Sequence, residues 1–450
     1  MYVKNSHELL AHGEIDLRRV LLDAIEFALE KVDPYRLTKQ LVRLNGDILE
    51  VGDLHFDLRR TGRIRVIGAG KASFPIAKGL EEILGNRISD GLITVKDDET
   101  RVLSRAQVRR AGHPIPNEAG FSAAQEIVKI ASAASQNDLY LAVFTGGSSA
   151  LMPYPAEGLS LEDKQQVTRL LLTCGATIRE INAVRKHMSR IKGGRLAKMM
   201  APATIVNFTV SDVIGDPLDC ITDPTVTDSS RFEDAVYVLK KYDLWPLVPE
   251  SVRKHLAEAS SDKETLKEYG DLRVHNFILA NNVMAAEAAK THLQNQGFNS
   301  QILTTSLEGE SREVGYVLAS VLSETRLHNR PLKMPAAYVL AGETLVKLTD
   351  LIRNEAMGGP SQELAVAVAL RMPDHSAGIF LDTDGSDGPT EYAGALIDSR
   401  TREEAEKLNI DLYTDMKQHN VTEVLKKLDD VILTGATGAN VMDLIILVSE

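Results

Sequence analysis

Lys71 stands at the end of the run IRVIGAGKAS, just after Gly68 and Gly70, where an apolar stretch gives way to a helical pattern. Such a turn presents backbone N–H groups and a helix N-terminus to an anion, with a lysine at the rim as a compact positive charge. A dinucleotide fingerprint would need a third glycine where Ser73 stands, and a Walker loop would need four residues between its glycines. An ordinary strand-to-helix turn with a solvated lysine fits these residues equally well. A second turn, FTGGSSALMPYP, sets Gly146 and Gly147 beside Ser148 and Ser149. Those hydroxyls serve either as helix caps or as part of an oxyanion or phosphate cradle. The G-x-S-x-G elbow of a serine hydrolase is absent.

Carboxylates gather in VSDVIGDPLD (Asp212, Asp216, Asp219) and in LDTDGSDGPT (Asp382, Asp384, Asp387). Asp-Gly pairs are turn formers first. Two acidic loops that both follow apolar runs also suit a shared Mg²⁺ site, with Asp212, Asp384 and Asp387 as candidate ligands. The run REINAVRKHMSRIKGGRLA carries Arg185 and Lys186. It reads as a solvated helix face, or as a local field that draws an anionic substrate to an otherwise acidic chain. His113, ahead of two prolines, reads as structural. With no covalent nucleophile in view, a rim lysine, glycine turns and carboxylates together fit phosphoryl transfer, where catalysis is mostly positioning and charge neutralisation.

These residues need elements to hold them. Apolar runs at 64–67, 139–144, 203–210, 337–340, 378–381 and 431–433 each end in a small or polar loop, and helical stretches separate them. That alternation predicts an α/β protein with a mostly parallel sheet. Ligands bind outside the carboxyl ends of such strands, which singles out Lys71, Ser148 with Ser149, Asp212, Glu343, Asp384 with Asp387, and Asn440. An opening helix is expected over 17–32. The charged, proline-bearing SETRLHNRPLKMP at 323–335 is read as the domain boundary, dividing a larger domain (1–330) from a smaller α/β domain (331–450).

Lys plus Arg number 51 against 63 Asp plus Glu, a net charge of −12, which argues against a nucleic-acid or anionic-membrane partner. The uncharged stretch 139–156 is broken by Gly146, Gly147, Pro153 and Pro155, so no membrane span is expected. Cys174 and Cys220 have neither metal-ligand spacing nor a disulfide framework, and the N-terminus lacks a signal-peptide pattern; both suit the cytoplasm. The composition leaves room for a homo-oligomer.

Taken in order, VIGAGKAS, GHPIPNEAG, TGGSSALMPYPAEGLSLEDK, INAVRKHMSRIKGGRLA, SDVIGD, AGET, GGPSQELA, DTDGSDGPT and TGATGANVMDL resemble the class-II glycerate kinases, the glycerate 2-kinase family with a C-terminal MOFRL domain, from about residue 17 to 447. The resemblance implies a Rossmann-like N-terminal domain and a smaller α/β C-terminal domain. It implies transfer of the γ-phosphoryl of ATP, with Mg²⁺, to the 2-hydroxyl of D-glycerate. The family's active-site lysine falls on Lys71, and its acidic and amide positions on Asp212, Glu343, Asp384 and Asn440.

The chain departs from the pattern where GGPSQE puts Pro360 and Ser361 in place of an arginine and its neighbour; Arg353, seven residues upstream, is a candidate substitute. Thr222 and Asp223 replace Ser-Gly, Ser148 replaces a glycine, Ala341 replaces the first glycine of GGET, and Ala436 and Ala439 replace Pro and Thr. A carboxylate at 223 facing the site would repel a carboxylate substrate and favour a polyol, so the acceptor is expected to be a small hydroxy acid, glycerate by default, or a polyol. Two rivals stand beside the kinase. One is an NAD(P)-dependent hydroxypyruvate reductase, with Asp97 and Asp98 near a strand end for a ribose. The other is a non-catalytic ligand-binding descendant, suggested by Pro360.

Overall fold

A computed structural model describes residues 1–259, 263–347 and 357–450. The chain forms two compact units: Pro34–Leu279, and Met1–Asp33 together with Ala280–Glu450.

The strands of the first unit are β1 (Val42–Asn45), β2 (Ile48–Val51), β3 (Leu54–Asp57), β4 (Ile64–Ala69), β5 (Ile88–Lys96), β6 (Gln107–Ala111), β7 (Leu139–Phe144), β8 (Thr204–Val210) and β9 (Arg273–Ala280). The first three make a small antiparallel sheet. The other six lie in the order β6-β5-β4-β7-β8-β9. The pairings β4–β5, β5–β6, β4–β7 and β7–β8 are parallel. Every residue of β4 and β7 is buried, which is why both read as unbroken apolar runs: helices cover both faces of a parallel sheet. Ile67, Ala69, Tyr140, Ala142 and Phe144 anchor one core cluster. The chain builds outward from β4 through β5 to β6, then returns to the other side of β4 to lay down β7. That reversal leaves a crevice at the carboxyl ends of β4 and β7, the place where doubly wound sheets bind ligands.

Helices Leu161–Thr173, Ile178–His187, Phe232–Lys241 and Glu250–Ala257 form a separate layer of the same unit around Val167, Leu171, Ile181, Val184 and Leu239. Two of them begin at capping boxes, Ser160 with Asp163 and Thr177 with Glu180, which satisfy otherwise orphaned N–H groups.

The second unit carries β10 (Asn299–Leu307), β11 (Ala336–Gly342), β12 (Ser376–Asp382), β13 (Gly394–Asp398), β14 (Val431–Ile432) and β15 (Asp443–Ser449), ordered β10-β11-β15-β12-β13-β14. β15 is antiparallel to both β11 and β12, and β13 is antiparallel to β12 and β14, so β11, β12 and β14 end on one edge. Helix Pro360–Ala369, buried from Ser361 to Ala369, packs its apolar side chains into this unit's core.

The unit boundary falls at 279/280 rather than 330/331. SETRLHNRPLKMP is the end of helix Ser311–His328 and its connection into β11, and an exposed αβ connection carries the same charged, proline-bearing composition as a linker. β10, upstream of it, pairs parallel with β11 and fixes 299–307 in the second sheet. The opening helix Ile15–Lys31 belongs to the same unit. Its Arg18, 1% exposed, donates to Asp398 and to Asp430, the latter at 2.7 Å. Among the described residues no helix is long and apolar enough to cross a membrane.

Candidate active site

In the first unit the two glycine turns lie side by side at the sheet's point of reversal. Gly68 is glycine because a Cβ there would strike the Val143 carbonyl of β7, and Gly70 (φ +142°) because a Cβ would strike Thr145 Oγ1. Lys71 N–H donates to Gly146 O at 2.9 Å, and Ala72 N–H to Thr145 Oγ1 at 3.1 Å. The lysine loop and the Gly-Gly-Ser-Ser loop are therefore one assembly. Ser73, at the position of the absent third glycine, is fully buried and donates to Val143 O at 2.8 Å. It ties the helix start to β7.

Gly147 takes a left-handed conformation (φ +88°), and the space its side chain would fill is bounded by the His113 ring at 3.3 Å and Lys71 Cγ at 3.5 Å. His113, read from sequence as structural, thus lies against the same loop as Lys71. Ser148 is buried, while Gly146, Gly147, Ser149 and Lys71 are half-buried. Asp212, also half-buried, follows β8, the strand next to β7, so Lys71, Ser149 and Asp212 sit on one edge of one sheet.

The basic run divides. Lys186, expected to bind substrate or phosphate, is 2% exposed and makes two ion pairs, with Asp219 at 3.0 Å and Asp228 at 2.9 Å. It is an internal tie, and that expectation is corrected. Arg185, its neighbour, is half-buried and lines a cavity with Ser149. Asp223, expected to repel a carboxylate substrate, is buried and accepts from Lys192 at 3.0 and 2.8 Å, so its charge is matched.

In the second unit Glu343, Asp384 and Asn440 share the edge where β11, β12 and β14 end. Glu343 is exposed and its N–H donates to Leu307 O at 2.9 Å. Asp384 is half-buried and accepts from Ser386 N–H at 2.9 Å and Ser386 Oγ at 3.0 Å. Thr383 Oγ1 donates to Met442 O at 2.7 Å and accepts from Val441 N–H at 2.9 Å, which draws the loop carrying buried Asn440 to the Asp384 loop. Asp387, expected as a metal ligand, is 2% exposed and accepts from the N–H groups of Ser361 (3.1 Å) and Gln362 (2.8 Å) at the start of helix Pro360–Ala369. Burial pushes its carboxyl up to about 7, against the pull of those two amides. Its oxygens are occupied by the helix, and we correct its assignment to that role. Gly359 is glycine because a Cβ would run into this carboxylate. Pro360 occupies the first helical turn, where a missing N–H costs nothing, and Arg353 lies outside the described residues.

Sequence reasoning missed Asp443. It begins β15, opposite Gly342 on one side and Asp382 on the other. Burial, then the charges of Asp382, Asp387 and Glu343, hold its carboxyl well above the usual carboxylate range. An aspartate heading the apolar run LIILVS was the available signal. Lys164 was missed too: with Val167, Thr168 and Leu171 it occupies the buried face of its helix, at core spacing.

Among the described residues no group of three or more His, Cys, Asp or Glu side chains has the arrangement to hold a metal ion. The donor set still fits Mg²⁺, which keeps several waters and takes one or two carboxylates together with substrate phosphates. Asp384 and Asp382, half-buried and two residues apart, suit that role; Asp387 and Asp443 do not.

Residues 20–257 match the model described as "Domain of unknown function (DUF4147)", and 336–443 match the MOFRL family. A glycerate 2-kinase from Pyrococcus horikoshii is 40% identical over 439 residues, covering 96% of this chain and 98% of the relative. The chain belongs to the glycerate 2-kinase family. A D-glycerate 2-kinase from Thermotoga maritima is 36% identical over 436 residues, covering 96% and 98%. The crystal structure of glycerate kinase from Thermotoga maritima has a TM-score of 0.82 at 34% identity and covers 97% of this chain and 100% of that one. A relative from Agrobacterium vitis that carries a hydroxypyruvate reductase name is 34% identical over 387 residues, 85% of this chain and 98% of the relative.

Proposed function

We propose that this chain transfers the γ-phosphoryl group of ATP, in the presence of Mg²⁺, to a hydroxyl of a small hydroxy acid, with D-glycerate the acceptor and 2-phosphoglycerate the product. As a glycerate 2-kinase family member it is a phosphotransferase with an alcohol acceptor and a nucleotide donor. The observation that carries the residue assignment is the pairing of the two glycine turns at the sheet's reversal, with Lys71 and Ser149 on the same edge as Asp212.

Lys71 supplies positive charge where the transferred group spreads negative charge over its oxygens. The turns at Gly68, Gly70, Gly146 and Gly147, with Ser148 and Ser149, hold phosphate or substrate through backbone N–H groups and hydroxyls. Asp212 orients the acceptor hydroxyl and takes its proton as the new P–O bond forms and the bond from the γ-phosphorus to the bridging oxygen breaks, releasing ADP. Asp384 with Asp382 would hold Mg²⁺, which would supply charge neutralisation to a nucleotide's phosphates. Glu343 and Asn440 supply further polar groups on the Asp384 edge.

An acceptor panel tests the reading: ATP and Mg²⁺ with D-glycerate, L-glycerate, tetronates and glycerol, followed by ADP release. D-Glycerate should give the highest kcat/KM, and NADH with hydroxypyruvate should give no oxidation. Turnover of NADH without ADP release in any arm would replace the kinase by the reductase.

A further inference from the structure

Inside the first unit, a cavity of about 10 Å³, roughly the room of one water, is lined by Pro116, Ser149, Lys164, Thr168, Arg185 and Lys192. Its walls are cationic out of proportion to their partners. Lys192, 1% exposed, is matched by Asp223. Lys164 is 6% exposed, and its ammonium reaches one backbone carbonyl, Met188 O, at 3.4 Å. Arg185 has no hydrogen bond or ion pair among the described residues. A buried ammonium without a carboxylate is costly.

We propose that this cavity binds the carboxylate of the hydroxy-acid acceptor, with Lys164 and Arg185 as its charge partners and the Ser149 and Thr168 hydroxyls as further donors. The proposal deepens the phosphotransferase reading and rests on it for the identity of the acid. Three observations favour a carboxylate over a phosphate chain. The free space admits one oxygen of a small oxyanion, in the place of one water, and no more. Lys164, Arg185 and Lys192 face the single carboxylate of Asp223, which leaves a surplus of at most two charges and suits a monoanion better than a triphosphate. Ser149 also lies three residues beyond Gly146, whose carbonyl accepts from Lys71 N–H, so a carboxylate here puts the acid's hydroxyl beside the loop that is hydrogen-bonded to the one carrying the phosphate-directed lysine.

A consequence follows for protons. Burial, then the nearby charges of Lys192 and Arg185, bring the Lys164 ammonium down to about 7, with Asp223 pulling the other way and Arg195 adding to the repulsion. A carboxylate entering the cavity favours the charged lysine, so binding near pH 7 to 8 takes up protons.

The test uses the full chain with Lys164→Met and Arg185→Gln, and D-glycerate, glycerol and inorganic phosphate as probes, by calorimetry in buffers of different ionisation heat and by thermal melting. The wild type should bind D-glycerate with net proton uptake and should ignore glycerol. Both variants should weaken D-glycerate at least tenfold while KM for ATP stays within twofold, and Lys164→Met should lose the proton uptake. Without ligand, Lys164→Met should melt at or above the wild-type temperature, since it removes an unpaired buried charge. Wild-type affinity for D-glycerate in both variants would overturn the proposal, and so would a loss confined to ATP or phosphate. If no acceptor is phosphorylated yet D-glycerate binding still depends on Lys164 and Arg185, the cavity assignment stands and the kinase reading falls.

Discussion

Two strand-end regions of this molecule carry opposite chemistry. The first unit's edge brings Lys71, Lys164, Arg185 and Lys192 to glycine and serine loops. The second unit's edge gathers Glu343, Asp382, Asp384, Asp387 and Asp443. In the first, cations outnumber the carboxylates that match them; in the second, carboxylates crowd until burial holds Asp387 at about 7 and Asp443 well above the usual range. A chain of net charge −12 can thus present a local site for anions and, elsewhere, one for a hard cation. Net charge describes the long-range field, and pairing within each unit decides what a strand end binds.

The contrast is broken most severely at Lys71. Lys71→Ala should lower kcat by about 10³-fold, about 4 kcal/mol of transition-state stabilisation, with little change in melting temperature; steady-state kinetics beside a melting curve check this. Next is Lys186, a buried cation of the first unit held by two carboxylates. Lys186→Met strands Asp219 and Asp228 and should cost about 3 kcal/mol of folding stability in urea titration, the opposite sign to Lys164→Met in the same unit. The smallest effect belongs to the acidic edge. Asp384→Asn should raise the Mg²⁺ concentration for half-maximal rate on the order of tenfold, about 1.4 kcal/mol, while leaving D-glycerate binding unchanged in calorimetry. An equal loss of glycerate affinity there would erase the division of labour between the two edges.

Much of this arrangement was legible in the residues. All six runs read as strands are strands: β4, β7, β8, β11, β12 and β14. Burial on both faces leaves unbroken apolar sequence, and the polar residue after each run is where such sheets place their chemistry. The unit boundary was hidden because docking of helix Ile15–Lys31 in the second unit and the pairing of β10 with β11 are long-range facts, while SETRLHNRPLKMP looks locally like any linker. Lys186 was singled out and Lys164 passed over for a related reason. Both are lysines on helices, and what separates them is the carboxylates that folding brings to one and withholds from the other. Asp387 was chosen for its loop, yet that loop folds it onto the N-terminus of helix Pro360–Ala369. The serial order of the motifs named the family, which single turns such as GAGK did not.

The most direct measurement is ³¹P and ¹³C NMR of the product formed from D-glycerate, ATP and Mg²⁺ by the wild type and by Lys71→Ala. The account predicts a phosphomonoester on the C2 oxygen from the wild type and almost none from the variant over the same time. Phosphate on another oxygen, or equal product from both proteins, would contradict it.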